Sequence, residues 1–288
     1  YVDQIAVALD LPHSDNIKAR VEDSITEILM NQSSNGGFGL WGPADGDMWL
    51  DAFVTDFLSR ARARGFDVPD VAFRAALDNL RNQVNYAPDF DFGGEALAYS
   101  LMVLAREGAA AVGDLRYYAD VKGDAFATPT AMAQLGAALA SYGDQTRADA
   151  MFARAAGLLN AATTETEQLF RADYGTTYRD AAAVLTLAVE SGSNAVDREA
   201  LTDRIATSGA LSTQEATWAL LAANALIDRP DVSGITLNGE AASGPLVRML
   251  GSGGAALAVA NSGPDTTLTV TTLGVPDVPD PASGNGYA

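Results

Sequence analysis

Apolar residues recur along the first 228 positions at the spacing of three or four residues that gives a helix one buried face. Five segments carry the strongest stripes: Trp49, Phe53 and Phe57; Leu97, Leu101, Leu104 and Ala105; Met132, Leu135, Leu139 and Tyr142; Val184, Leu185, Leu187 and Ala188; and Trp218, Leu221, Ala222 and Ala225. More polar, amphipathic segments lie between them, at 16–32, 70–86, 113–120, 144–162 and 196–206. This alternation predicts apolar inner helices surrounded by amphipathic outer ones. We therefore predict a mainly α fold, an (α/α)6 toroid-like double ring of helices.

Residues that favour helix termini stand at the expected boundaries. Thr128 before Pro129 suits a helix start, and Ser212 with Glu215 forms a capping-box pattern. Three glycines can adopt the left-handed conformation that ends a helix: Gly65, Gly108 and Gly143. These boundaries give ten or eleven helices, the first being a stub at 2–10. Because six pairs need twelve helices, we expect most of one inner helix to precede Tyr1.

The pattern changes near Asp228, and the chain beyond it reads as β-strands. Strands are predicted at 235–239, 246–250, 256–260 and 267–273, and Asn238-Gly239 is a turn signal that closes a hairpin. We predict three regions: the helical domain at 1–228, a small C-terminal β segment at 229–274 that forms part of a sandwich, and a flexible tail or linker at 275–288.

The charge and the rare residue types exclude several classes of function. The formal net charge of −19 repels phosphate backbones, so nucleic acid is not an expected partner. The chain has no cysteine and one histidine, His13, which excludes disulfides, thiolate nucleophiles and multi-histidine metal sites within it. No apolar run reaches about 18 residues, so direct membrane insertion by this chain is not expected. We expect no cofactor and no bound metal.

Acidic residues near two inner helices leave an alternative function open. They cluster just before or at the start of these helices: Asp45, Asp47, Asp51, Asp89, Asp91 and Glu95. Helical rings host inverting glycosidases with paired loop carboxylates, so a carbohydrate-active enzyme, a glycoside hydrolase or lyase, is the alternative. The competing explanation is that these residues cap helix N-termini and favour the helix dipole.

The segment 37–42 matches the dinucleotide-binding pattern GxGxxG. That pattern requires a strand before it and a helix directly after it. Here a polar helix end precedes the glycines and a further loop with Pro43 follows them, so nucleotide binding is not predicted.

Two longer motifs carry a family resemblance. The segment 36–41, Gly-Gly-Phe-Gly-Leu-Trp, followed by 47–58, Asp-Met-Trp-Leu-Asp-Ala-Phe-Val-Thr-Asp-Phe-Leu, resembles the GGF…W…WLTAYV…FL segment of the α2-macroglobulin and complement thioester domains in its bacterial form. The segment 211–221, with its Ser-Thr-Gln at 212–214, is similar to the start of a late inner helix of the same domain. The family's Leu-Thr-Ala-Tyr reads Leu-Asp-Ala-Phe here, at 50–53. The β segment loosely resembles part of the CUB-like sandwich that accompanies this domain.

The resemblance implies that the chain is one part of a larger protease trap. In the family, a protease cleaves a bait region, and a Cys–Gln thioester is then exposed and acylates the attacker. The thioester forms from a Cys-x-Glu-Gln motif, which this chain lacks and which is expected upstream of Tyr1. The implied partners are target proteases and neighbouring domains of the same polypeptide. The implied location is the periplasm, with a tether to the inner membrane outside this chain, and the isolated chain is expected to be catalytically inactive.

The aromatic residues in and beside the loops that precede the inner helices form the candidate site. In a ring of helix pairs these loops open on one face, where the first inner helix and its thioester would begin. The candidate residues are Phe38, Trp41, Trp49, Tyr86, Phe90, Phe92, Phe126, Tyr174 and Tyr178. We hypothesise that they exclude water from the thioester or contact a neighbouring domain, against the simpler explanation of local loop packing. Replacing Trp41 by alanine is expected to speed spontaneous thioester loss.

Overall fold

The computed structural model divides the chain into two compact units, one at Tyr1–Pro230 with Gly244–Leu250 and the other at Asp231–Ser243 with Gly251–Ala288. In the first part of the chain the structure describes residues 1–8, 16–87, 90, 93–161, 171, 173–206 and 209–228. Further on it describes residues 234–242, 246, 248, 250–251, 255–266, 268 and 270. His13 lies outside the described residues, as do positions 271–288, which contain the predicted tail.

The first unit contains all of the helices that the structure describes. Its helices within the described ranges are α1 Val2–Ala8, α2 Ile17–Met30, α3 Met48–Ala63, α4 Asp70–Tyr86, α5 Glu95–Arg106, α6 Val112–Val121, α7 Pro129–Ser141, α8 Gln145–Ala161, α9 Thr177–Glu190, α10 Arg198–Ala206 and α11 Thr213–Asp228. A single 3-10 turn, Gly123–Ala125, stands before α7. The first helix is the predicted stub, and the amphipathic segments foreseen from the sequence correspond to α2, α4, α6, α8 and α10.

The helices form two layers, as the apolar spacing predicts. In α5, α7 and α9 the runs 97–105, 130–139 and 179–189 are buried on every side, whereas α4 buries only one stripe. The helices α3, α5, α7, α9 and α11 contact one another in chain order, and α1 packs against α11. Arg64, directly after α3, lies 3.7 Å from the carboxylate of Asp228 in α11, which brings the two ends of this series together. The mainly α double ring is confirmed.

The predicted helix ends are confirmed by their hydrogen bonds. The Thr128 hydroxyl accepts from the Ala131 amide at 3.2 Å, with Pro129 as the first residue of α7. At α11 the Ser212 amide donates to Glu215 at 2.8 Å, and the Glu215 amide donates back to the Ser212 hydroxyl at 3.3 Å. Three glycines at helix ends have positive φ: Gly65 at 84°, Gly108 at 68° and Gly143 at 76°.

A buried ion cluster joins opposite inner helices where they end. Arg60 of α3 donates two hydrogen bonds to Glu190 of α9, at 2.9 and 3.2 Å, and a third to Asp56 at 3.1 Å. Asp56 also accepts from Arg106 of α5 and, at 2.9 Å, from the Tyr99 hydroxyl. Burial alone would raise the pKa of Asp56, but Arg106, Arg60 and these hydrogen bonds lower it to about 2. The cluster therefore joins α3, α5 and α9 through charged side chains.

The second unit contains a three-stranded antiparallel sheet of order β2-β1-β3, with β1 Ile235–Leu237, β2 Glu240–Ala241 and β3 Val259–Asn261. The predicted turn is confirmed, since Asn238 and Gly239 have φ of 52° and 88° and Leu237 pairs with Glu240. The observed β3 begins later than the predicted strand at 256–260. The predictions at 246–250 and 267–273 fall partly or mostly on residues outside the description, and the described positions there are not in strands.

Candidate functional site at the N-terminal mouth of the ring

The loops that precede α3, α5, α7, α9 and α11 form one end of the ring, which we call the N-terminal mouth. The loop before α3 is anchored to α4: the Gln32 side chain donates to the Ala72 carbonyl at 2.9 Å. Gly36, at φ 93°, lies so close to the Ala75 carbonyl that a Cβ there would overlap its oxygen. The Phe38 amide donates to Asp51 at 2.7 Å, and the Phe38 ring is buried. The glycine-rich motif thus builds a tight loop.

The acidic residues of this loop have structural partners. Asp51 is buried and also accepts from Asn79 at 2.8 Å and from Gln83 at 2.6 Å. Burial raises the pKa of Asp51 above its usual value, although these three hydrogen bonds act to lower it. Asp47 caps α3 by accepting from the Leu50 amide at 2.9 Å, which confirms the capping explanation for this residue. Asp89 and Asp91 lie outside the described residues.

Trp49, in the first turn of α3, is the centre of an aromatic cluster in the mouth. Its ring stacks on Phe53 at a centroid distance of 5.3 Å and lies edge-on to Tyr99 of α5 at 6.3 Å. Its third neighbour is Tyr174, in the loop before α9, at 5.4 Å. Because α5 and α7 separate α3 from α9 around the ring, this last contact bridges the mouth from one side to the other.

A groove of about 220 Å³ continues the aromatic surface from Trp49 to Phe90. Its floor includes Met48 and Leu97. The Phe90 ring lies 4.8 Å from that of Phe126, which is fully buried in the loop before α7. Trp49 and Phe90 line this groove, Tyr174 contacts Trp49, and the buried Phe126 supports Phe90 from behind; we call these four residues the aromatic mouth.

The structure does not bring the other candidate residues into the aromatic mouth. Phe38 belongs to a separate apolar cluster with residues of α2, α3 and α4. Trp41 and Tyr86 are 97% and 86% exposed. The Tyr178 hydroxyl donates to the Ile205 carbonyl at 3.0 Å, toward α10. Phe92 lies outside the described residues.

A buried ion network under Tyr174 was not foreseen from the sequence. Arg171 donates to Asp173 at 2.7 and 2.9 Å and to Asp180 at 2.6 and 3.1 Å. Arg179 also donates to Asp173, and the Thr130 hydroxyl of α7 donates to Asp180 at 2.7 Å. We call Arg171, Asp173, Arg179, Asp180 and Thr130 the mouth network.

Electrostatics favour the charged form of Asp173 in the mouth network. Burial would raise the pKa of Asp173, but hydrogen bonds from Arg171 and the charges of Arg179 and Arg171 lower it below its usual range. A neighbouring hydrogen bond extends the connection to α11, since the Thr176 hydroxyl donates to Glu215 at 2.7 Å. The sequence does contain one indication of the mouth network: the charged pair Arg179-Asp180 lies in an otherwise apolar inner helix. Charges that are buried in a core require partners.

The fold and the site first define the class of protein. The chain contains an α/α-toroid domain in which Asp47 caps α3 and Asp51 accepts structural hydrogen bonds, with an aromatic surface in its N-terminal mouth. Within the described residues no group of histidine, cysteine and acidic side chains could hold a metal ion. Among the helices that the structure describes, none is both long and apolar enough to cross a membrane.

Comparison with known proteins then gives the family. No family model matches the chain. The α2-macroglobulin of Escherichia coli strain K12 is 33% identical to it over 232 residues, which cover 74% of this chain and 14% of that protein. The structure of Escherichia coli α2-macroglobulin activated by porcine elastase matches with a TM-score of 0.67 at 28% identity, over 90% of this chain and 24% of that one. Salmonella α2-macroglobulin reacted with methylamine gives 0.64 at 27% identity, over 88% of this chain and 16% of that one.

The chain belongs to the bacterial α2-macroglobulin family, and it spans about 14% of the length of the curated Escherichia coli relative. The resemblance inferred from the two sequence motifs is thereby confirmed. The carbohydrate-active alternative gains no support, since the similar proteins are α2-macroglobulins and Asp47 and Asp51 are used within the fold.

Proposed function

We propose that this chain is the greater part of the thioester domain of a protease trap, and that its ring supports a thioester supplied by the polypeptide before Tyr1. Two relatives support the proposal: one was activated by elastase and the other reacted with methylamine. Primary amines open thioesters by acyl transfer, which is the chemistry expected of the family. This chain contains no cysteine, so the reactive sulfur would come from another part of the parent protein.

The observation that carries the proposal is an apolar groove of about 420 Å³ between α1, α2, α3 and α11. It is lined in part by Tyr1, Phe53, Phe57, Tyr99, Trp218 and Leu221. The stub α1 packs on α11 at one end of the groove. An inner helix that continued α1 backward along the chain would fill the groove and begin near the N-terminal mouth. Its first turn, with the Cys-x-Glu-Gln motif, would then stand beside the aromatic mouth.

The aromatic mouth would protect such a thioester from water. Hydrolysis requires a water molecule at the acyl carbon, and apolar rings around that carbon would hinder its approach. Trp49, Phe90 and Phe126 are half-buried or buried, which suits this role. The exposed Trp41 and Tyr86 suit the second role considered for these residues, contact with a neighbouring domain.

The remaining parts of the proposal follow the family. Target proteases and neighbouring domains of the same polypeptide are the partners, the periplasm is the location, and the chain by itself has no catalytic activity.

The test is made on the parent protein. Methylamine treatment should add one methylamine per molecule, at the glutamine of the Cys-x-Glu-Gln motif, and should release one thiol. Mass spectrometry locates the added methylamine, and iodoacetamide labelling counts the released thiol. A variant with the thioester cysteine replaced by alanine is the control. A parent protein that takes up no methylamine and has no cysteine before Tyr1 contradicts the proposal.

A further inference from the structure

We propose that the mouth network is a positioning device, which holds Tyr174 in a left-handed backbone conformation so that its ring lies against Trp49 across the mouth. Tyr174 has φ of 52°, a region that side chains with a Cβ seldom adopt. The residue is also 62% exposed, so burial compensates little for the backbone strain. Strain of this kind persists only where the surroundings enforce it, and it concentrates at functional sites.

The hydrogen bonds around Tyr174 supply that enforcement. Its own amide donates to the Arg171 carbonyl at 3.0 Å, and the next amide, of Gly175, donates to Asp173 at 3.2 Å. A Cβ on Gly175 would overlap the guanidinium groups of both Arg171 and Arg179. The backbone on either side of Tyr174 is thus hydrogen-bonded to residues of the mouth network, and relaxing it would break these hydrogen bonds.

Stabilising the fold is a poor explanation for this arrangement. Buried ion pairs gain little over apolar side chains of similar volume, because both charges must leave water. The Nε of Arg179 is also buried without a hydrogen-bond partner in the described part of the chain. Charged, directional hydrogen bonds fix the geometry of a loop more specifically than apolar packing does.

The network also ties Tyr174 to the framework of the ring. Asp180 binds Thr130 of α7, and Thr176 binds Glu215 of α11. Three successive inner helices, α7, α9 and α11, therefore set the position of the Tyr174 side chain. Its ring contacts that of Trp49 in α3. The consequence for the thioester rests on the proposed function; the positioning itself does not.

The first experiment measures the position of Tyr174 in the 288-residue chain. The chain has three tryptophans, so labelling with 5-fluorotryptophan gives three ¹⁹F resonances that Trp→Phe variants assign. Tyr174→Gly removes the ring and relieves the strain, and it should move only the resonance of Trp49. Asp173→Asn and Arg171→Lys should move the same resonance in the same direction, while buried Trp218 keeps its native shift.

Controls separate positioning from loss of structure. Asp124→Asn removes an exposed ion pair with Arg154, near the start of α7, and should move none of the three resonances. In the Tyr174→Gly background, Asp173→Asn should add no further shift at Trp49. If Asp173→Asn moves the Trp218 resonance as well, the variant has perturbed the fold, and the inference is judged on Arg171→Lys alone. Lysine keeps the positive charge of Arg171 but cannot form its paired hydrogen bonds to a carboxylate. A Trp49 resonance that stays at its native shift in Arg171→Lys overturns the inference.

The second experiment measures spontaneous thioester hydrolysis in the parent protein. Tyr174→Gly and Arg171→Lys should each accelerate it between about twofold and tenfold, the range expected from one aromatic contact. If the Trp49 resonance moves and hydrolysis does not, the positioning stands and the proposed shelter fails. If hydrolysis accelerates while the Trp49 resonance is unmoved, the positioning fails.

Discussion

Trp49 and Trp41 show how differently two tryptophans of one motif are used. Trp49 lies in the first turn of α3, after the cap at Asp47, and this turn directs its ring into the mouth against Phe53, Tyr99 and Tyr174. Trp41 stands at the tip of the preceding loop and is almost fully exposed. A ring that packs against others is better placed to exclude water than one that is almost fully exposed, so of the two candidates we propose Trp49 rather than Trp41 for the shielding role.

In the parent protein, Trp49→Ala is expected to raise the rate of spontaneous thioester hydrolysis by about tenfold, which corresponds to about 1.4 kcal/mol of lost protection. Trp41→Ala is the matched control and should leave the rate close to that of the wild type. The rate is followed by the appearance of a free thiol without added amine. Equal rates for the two variants would contradict the role given to Trp49.

At the scale of elements, local signals in the sequence placed the helices well. The caps at Thr128 and Ser212 and the stops at Gly65, Gly108 and Gly143 depend on the chain within a few residues, so the sequence alone reveals them. Strands depend on partners that are distant in the chain, and β3 accordingly begins later than its predicted position.

Asp47→Ala should lower the free energy of unfolding by about 1 kcal/mol, because the first turn of α3 loses the carboxylate that accepts from the Leu50 amide. Urea unfolding followed by circular dichroism measures the change. Asp67→Ala removes an exposed carboxylate from the loop before α4 and should change stability little. If both variants lose the same stability, the effect is one of net charge and the capping explanation is wrong.

At the scale of the whole helical unit, α3 and α9 are joined at both ends of the ring. Trp49 meets Tyr174 at the N-terminal mouth, and Arg60 meets Glu190 where the inner helices end. Each contact spans the ring interior, which the neighbouring helices fill with apolar side chains. The first contact is aromatic and the second is an ion pair, so acid should affect them differently.

Asp56 should make this unit sensitive to acid. Its pKa is about 2 in the folded chain and 3.8 when unperturbed, so the folded state favours the carboxylate and the unfolded state binds the proton first. The contribution, about 2 kcal/mol, is complete above pH 4 and is lost as the pH falls toward 2. Urea midpoints measured across this range should show the loss in the wild type.

Two variants test the assignment of the acid effect. Asp56→Asn leaves Arg60 and Arg106 without their shared carboxylate and should cost about 3 kcal/mol or more at neutral pH, with a flatter acid limb. Asp70→Asn removes an exposed pair with Arg62 and should change the acid limb much less, because solvent screens that pair. An unchanged acid limb in Asp56→Asn would assign the effect to other carboxylates.

The sequence by itself determined the helical double ring, most helix boundaries, the hairpin turn and the family, because periodicity, capping and short motifs are properties of neighbouring residues. Only the tertiary structure decided which aromatic residues share a surface and which stand apart. It also revealed the mouth network and the cluster around Asp56, whose members come from separate helices and loops. The partner of a buried charge is often distant along the chain, so the sequence alone does not identify it. At the mouth, we propose that this pairing holds Tyr174 against Trp49.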